Sequence, residues 1–215
     1  MTWSAFPRRS SLTPLAVALT VGLASLALAQ FTVSPKDVLQ LRAGERTLSL
    51  RVALNATSGE GFELRRTREG WSGSLAGQPV VLELADEGVI AGAWGRESVR
   101  LVASPRASQP GLSVEGVLSG APVELRLAPT GLSGEVGGCN YSLTLAGNTY
   151  VGWRTCEPTR GPPVAVELRL PETLLSLSTE EQAALLSLLL SAEAFSPASL
   201  PGERSGQGGA GTPSP

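Results

Sequence analysis

The chain contains no histidine, and that removes more chemistry than any motif in it supplies. Neither a Ser-His-Asp nor a Cys-His arrangement can be assembled from these residues, and histidine-ligated zinc or copper sites are equally out of reach. Asp37 and Asp86 are the only aspartates, and no Asp-x-Asp-x-Asp-Gly calcium loop is present. What survives for catalysis is a glutamate pair of the glycosidase kind, Glu83 with Glu124 or Glu115 with Glu135, or a serine assisted by Lys36. Glycoside cleavage needs two carboxyls at a fixed separation, one of them with a raised pKa. Glu83 and Glu124 fall out of phase with the Val and Leu positions of their segments, which predicts exposure. Ser34-Pro-Lys36 lacks the Ser-x-x-Lys spacing. Gly131-Leu-Ser-Gly-Glu-Val-Gly137 has the look of a phosphate loop, but a strand is expected after it, so no helix N-terminus would hold the anion. The expectation is a protein without enzymatic activity, metal site or cofactor.

The residues that could bind rather than react are aromatic. Trp71 shares a strand face with Leu75, and Trp94 shares one with Ile90, so both are expected in the core. Trp153 differs, and the reason lies in the hairpin that carries it. If Gly147-Asn148 is a two-residue turn, a preference of tight hairpins, paired residue numbers sum to 295 (147 + 148). Trp153 then lies opposite Ser142, on the face that carries Asn140 and Thr144. An aromatic ring on a polar sheet face suits stacking on a sugar or a contact patch. Trp153, Ser142 and Asn140 are therefore the candidate binding residues.

The same register brings Cys139 opposite Cys156. Counting outward from the turn makes this a non-hydrogen-bonded pair with Cα atoms roughly 4.5 Å apart, inside the range a disulfide tolerates. These are the only two cysteines, and a structural disulfide is the reading, with a redox pair or metal site as the alternative.

The elements that must position these residues come from an internal repeat. Gly73-Ser-Leu-Ala-Gly-Gln-Pro-Val-Val-Leu-Glu-Leu-Ala85 aligns with Gly116-Val-Leu-Ser-Gly-Ala-Pro-Val-Glu-Leu-Arg-Leu-Ala128 at an offset of 43 (116 − 73). Past Gly88 and Gly131 the offset falls to 42, so that Gly92 lies over Gly134 (134 − 92). The lost residue falls in a turn; inside a strand it would send every following side chain to the wrong face. Residues 71–103 and 114–145 are thus two copies of one four-strand pattern. Upstream, strands are expected near Phe31 to Val33, at Val38 to Arg42 and at Thr47 to Leu54, then a loop over Asn55 to Gly61 and a strand from Phe62. Arg65, Arg66 and Arg68 form the only basic cluster, read as a solvated strand end with an anionic contact as alternative.

Downstream, Val164, Val166, Leu168 and Leu170 alternate with polar positions as a last strand. Ser178-Thr-Glu-Glu181 is a capping box that predicts a helix over 179–194, ended by Ser196-Pro197. Its leucines cover most of its surface, so it is expected to pack on the apolar face of the sheet or over a barrel mouth. Dimer contact or membrane-surface attachment is the alternative. Residues 197–215 are rich in Gly, Ser and Pro and are expected to be a disordered tail.

At the other end, residues 1–29 have the form of a secretory signal: Arg8 and Arg9, an apolar run from Leu15 to Leu28, and Ala27-Leu-Ala29 before Gln30. Arg8-Arg9-Ser-Ser-Leu12 loosely matches a twin-arginine signal, but the general secretory route is adopted. Without Arg8 and Arg9 the formal charge moves from −2 to −4, which argues against a nucleic-acid partner.

The expected fold is all-β: an antiparallel meander of about a dozen short strands (barrel, half-barrel or sandwich) over 30–196, with the C-terminal helix packed on it. The expected function is a non-catalytic exported binding or structural module of the cell envelope, periplasmic or extracellular. A periplasmic carrier holding an apolar ligand between sheet and helix is one alternative, and a glutamate-dependent glycoside hydrolase the other. The partner classes left open are an apolar small molecule and an envelope polymer, with no transmembrane segment in the exported chain.

Overall fold

The structure, a computed structural model, describes residues 35–105, 111–156 and 162–191. The expected signal, the strand near Phe31 to Val33, the Ser196-Pro197 helix stop and the tail lie outside these residues. After a 3-10 turn at Pro35–Asp37 the chain forms β1 (Val38–Ala43), β2 (Arg46–Ala53), β3 (Ala56–Gly59) and β4 (Phe62–Arg66). The first repeat gives β5 (Gly70–Leu75), β6 (Gln78–Leu84), β7 (Val89–Trp94) and β8 (Glu97–Pro105). The second gives β9 (Leu112–Leu118), β10 (Ala121–Ala128), β11 (Gly131–Val136) and β12 (Cys139–Ala146). β13 (Thr149–Cys156) and β14 (Val164–Arg169) follow, then α1 (Glu172–Leu175) and α2 (Thr179–Leu190). The meander is antiparallel throughout, and β14 returns to β1 to close a barrel, with Leu41 opposite Leu168 at the seam.

The strands are short because two-residue turns end most of them. Ala43 faces Arg46, Leu75 faces Gln78, Trp94 faces Glu97, Leu118 faces Ala121 and Val136 faces Cys139. These turns share one rim. In the repeat, Ala76-Gly77 and Ser119-Gly120 take the same conformation, with φ 52° and 76° in the first and 51° and 77° in the second. A turn with both central residues at positive φ matches the twist of the strands it joins.

Within the walls the period of two holds. Leu39, Leu50, Leu64, Trp71, Leu82, Ile90, Leu101, Val114, Leu125 and Leu132 point inward and are buried, while Glu63, Arg65, Arg100, Glu115, Glu124 and Arg126 stand outside. A lipid-facing barrel has the opposite polarity. No helix among the described residues is long and apolar enough to cross a membrane. Within the walls, glycine stands where neighbouring backbone comes too close for a side chain. Gly134 holds φ 127°, and a Cβ there would come within 1.8 Å of the Glu124 carbonyl oxygen of the neighbouring strand. Its repeat partner Gly92 is in the same state, facing the Val81 carbonyl.

The helix occupies the barrel interior. Leu185, Leu186, Leu188, Leu189 and Leu190 are each 3 % exposed or less, so every side of α2 is covered. It enters at the rim opposite the glycine turns, where Arg66 Nε lies 2.8 Å from Glu181 Oε1, and ends near the glycine rim, where the Tyr141 hydroxyl donates to the Leu190 carbonyl. Twelve residues give a rod of about 18 Å, close to the height of a wall of tilted six- to eight-residue strands. The capping box forms as expected: Ser178 Oγ accepts from the Glu181 amide at 3.2 Å, and Glu181 Oε2 accepts from the Ser178 amide at 3.0 Å. The helix stops at Leu190, short of the expected 194, with Ser191 Oγ donating to the Leu188 carbonyl at 2.9 Å.

Two expectations need correction. The stretch read as a loop, Asn55 to Gly61, contains strand β3, paired with β2 and β4. Thr57 is its one buried side chain, so no apolar alternation announces it, and the need to continue the wall overrides its composition. The short helix α1 was also not expected; Thr173 Oγ1 donates to Asp37 Oδ1 at 2.6 Å and holds it against the start of β1.

Candidate functional site

The β12–β13 hairpin has the register expected from the Gly147-Asn148 turn at every rung, from Ala146 opposite Thr149 to Cys139 opposite Cys156. The two sulfurs are bonded, with Cα atoms 4.0 Å apart. A disulfide at the open end of the hairpin and a two-residue turn at the other fix the strands between them, so the outer face of this hairpin is a rigid one.

Trp153 stands on that face, 58 % exposed, with Ser142 opposite it on β12 and Ala165 opposite it on β14. Both neighbours are small, so nothing on the flanking strands shades the ring. Asn140 lies one outward step along β12, facing Thr155, and Thr144 lies one step the other way, facing Val151. Asn140, Ser142, Thr144 and Thr155 are all exposed. The row through Trp153 continues through Ser142 to Ser133 and Arg126, and Arg126 is already engaged by Glu124 at 2.6 Å. Besides the expected Trp153, Ser142, Asn140 and Thr144, this surface includes Thr155, which the sum rule for the turn reaches, and Glu167 on β14, which it does not.

The inner face of the same hairpin is different. Tyr141 faces Arg154 across the strands, and burial pushes the Tyr141 hydroxyl pKa up, against a lowering influence of the neighbouring Arg154 guanidinium. Burial likewise raises Tyr150, whose hydroxyl reaches the Ala128 carbonyl at 3.3 Å. Trp71 and Trp94 are buried as expected, and Trp94 Nε1 donates to the Leu75 carbonyl at 3.3 Å.

The glutamates do converge, but on the outside. Glu115, Glu124 and Glu135 lie directly opposite one another on β9, β10 and β11, which puts Glu115 and Glu135 about 10 Å apart. Counting from the turns Ser119-Gly120 and Pro129-Thr130 gives this row (115 + 124 = 239; 124 + 135 = 259), so sequence carried the signal. Glu83 is also outside, on β6, opposite Gly70 and Ala91. All four stand on the convex wall. Among the described residues, no group of three or more His, Cys, Asp and Glu side chains is placed to hold a metal ion.

A cleft of about 380 Å³ opens at the helix-entry rim, lined by Arg66, Arg68, Glu69, Asp86, Glu87 and the first turn of α2. Of the expected basic cluster, Arg66 and Arg68 line this cleft among the carboxylates of Glu69, Asp86, Glu87 and Glu180, Arg66 is engaged by the buried Glu181, and Arg65 lies apart on the outer wall, 3.3 Å from Glu63. Comparison of the chain with known families, curated proteins and solved structures finds no match.

Proposed function

We propose that this protein is a non-catalytic exported module of the cell envelope, a rigid plugged barrel whose working surface is its outer wall. The observation that carries this reading is the helix in the lumen. A sheet-and-helix carrier needs an apolar cavity of several hundred Å³, and here the apolar space is taken by α2 itself. Withdrawing the helix would expose at least five buried leucines, at about 1.5–3 kcal/mol each, which favours a permanent core over a displaceable plug. The outer position of Glu83, Glu115, Glu124 and Glu135 likewise favours binding over glycoside cleavage, since that reaction needs two carboxyls flanking the scissile bond, one of them with a raised pKa, in a cleft that orients the sugar.

Export is supported by the signal-like residues 1–29 and by the disulfide, a bond that persists in oxidising compartments. Solvent extraction of the purified protein followed by mass spectrometry separates module from carrier. The module yields no lipid in molar proportion to protein, whereas a carrier yields one species near one per chain and loses it when Leu186 or Leu188 is enlarged to Trp.

A further inference from the structure

We propose that the outer face of β12 and β13, centred on Trp153, binds an uncharged, hydroxyl-rich polysaccharide; this rests on the binding-module reading above. The first argument is the ring itself. Trp153 offers a flat apolar face with a polar edge at the surface, while the other two tryptophans of the described residues, Trp71 and Trp94, are buried. The pair of small residues on either side, Ser142 and Ala165, leaves the indole able to meet the apolar C–H face of a pyranose. The second argument is what surrounds it. Asn140, Ser142, Thr144 and Thr155 are neutral groups that both donate and accept, spaced one strand apart across the sheet and two residues apart along it. A chain of hydroxyls can satisfy such a grid, and a purely apolar ligand cannot.

The third argument is charge. The outward carboxylates nearest the ring are Glu167, paired in register with Val151, and Glu135, paired with Asn140, and no outward cation stands on β12 or β13. Arg42, directly opposite Glu167 on β1, offsets that carboxylate, and Arg126 is engaged by Glu124, so the face gives an anionic polymer no net attraction, while the hydroxyls of a neutral one find two further acceptors. The hairpin is also held in place beforehand by the Cys139–Cys156 bond, so little ordering cost is left for binding.

The test is co-sedimentation of the purified, oxidised chain with insoluble β-linked glucan and with chitin, both uncharged, with soluble polygalacturonate as the anionic control. The account expects retention on at least one of the two insoluble polymers and none of the fluorescence change on polygalacturonate that binding beside Trp153 would give. Trp153→Ala should weaken retention at least tenfold, Trp153→Phe should restore most of it, and Asn140→Ala should weaken it severalfold. Far-UV circular dichroism and an intact disulfide confirm the fold of each variant. Equal retention of wild type and Trp153→Ala overturns the site, a Trp153-dependent fluorescence change on polygalacturonate overturns the ligand class, and failure to bind either insoluble polymer overturns both. None of these outcomes touches the plugged-barrel reading, which the lipid extraction decides separately.

Discussion

The Tyr141 hydroxyl donates to the Leu190 carbonyl, and this bond joins the barrel wall to the last turn of the helix that fills it. The carbonyl is one of the orphan acceptors that every helix leaves at its C-terminus; here, deep in an apolar lumen, the wall supplies the donor.

Removing that donor leaves a buried acceptor without a partner. Tyr141→Phe is expected to lower the unfolding free energy by about 1–3 kcal/mol, read from the midpoint of a urea transition with the slope unchanged. Dependence on pH follows from the same residue. Its folded-state pKa lies above the ordinary value of 10.0, so the native state holds the proton more tightly than the unfolded chain does. The stability this confers is whole below pH 10 and is lost as pH rises through the raised folded value. Wild-type stability should therefore fall steeply above pH 10, and the fall should be shallower in Tyr141→Phe; Tyr150, also raised by burial, retains part of it. A pH series of denaturation midpoints measures the difference.

Gly134 and Gly147 make a contrasting pair. Both have positive φ, but a Cβ on Gly134 runs into the Glu124 carbonyl while one on Gly147 meets nothing within 4 Å. Gly147→Ala should cost about 1 kcal/mol, the strain of the left-handed conformation alone. Gly134→Ala must also move the β10 backbone, and a loss above about 4 kcal/mol or failure to fold is expected. Thermal midpoints of the two variants give the comparison.

The disulfide spans a sequence separation of 17. Replacing both cysteines by serine should lower stability by about 3 kcal/mol through the longer reach of the unfolded chain, leaving the barrel folded at room temperature. Equilibrium unfolding of the double variant, compared with oxidised wild type, checks this.

Much of the wall was legible in the sequence, for a local reason. The repeat, the alternation of Leu48, Leu50 and Val52, and the two-residue turn at Gly147-Asn148 are all read within a few residues, and they give the pairing of Cys139 with Cys156 and the outward aim of Trp153. Barrel closure was not legible, because the seam joins Leu41 to Leu168, two segments whose encounter depends on the accumulated curvature of every strand between them. β3 was missed because Thr57 is its one buried residue. The destination of α2 was half visible: leucine on nearly every side says that all faces must be covered, but an interior and a dimer contact read alike until the sheet is known to close around it.

The interior helix is tested most directly by two single substitutions. Leu186 and Leu188, two residues apart at about 100° per residue, look out from nearly opposite sides of α2. A helix inside the barrel predicts that Leu186→Ala and Leu188→Ala each lower the unfolding free energy by about 2–5 kcal/mol. If either costs less than about 0.5 kcal/mol, one side of the helix faces water and the plugged barrel is wrong.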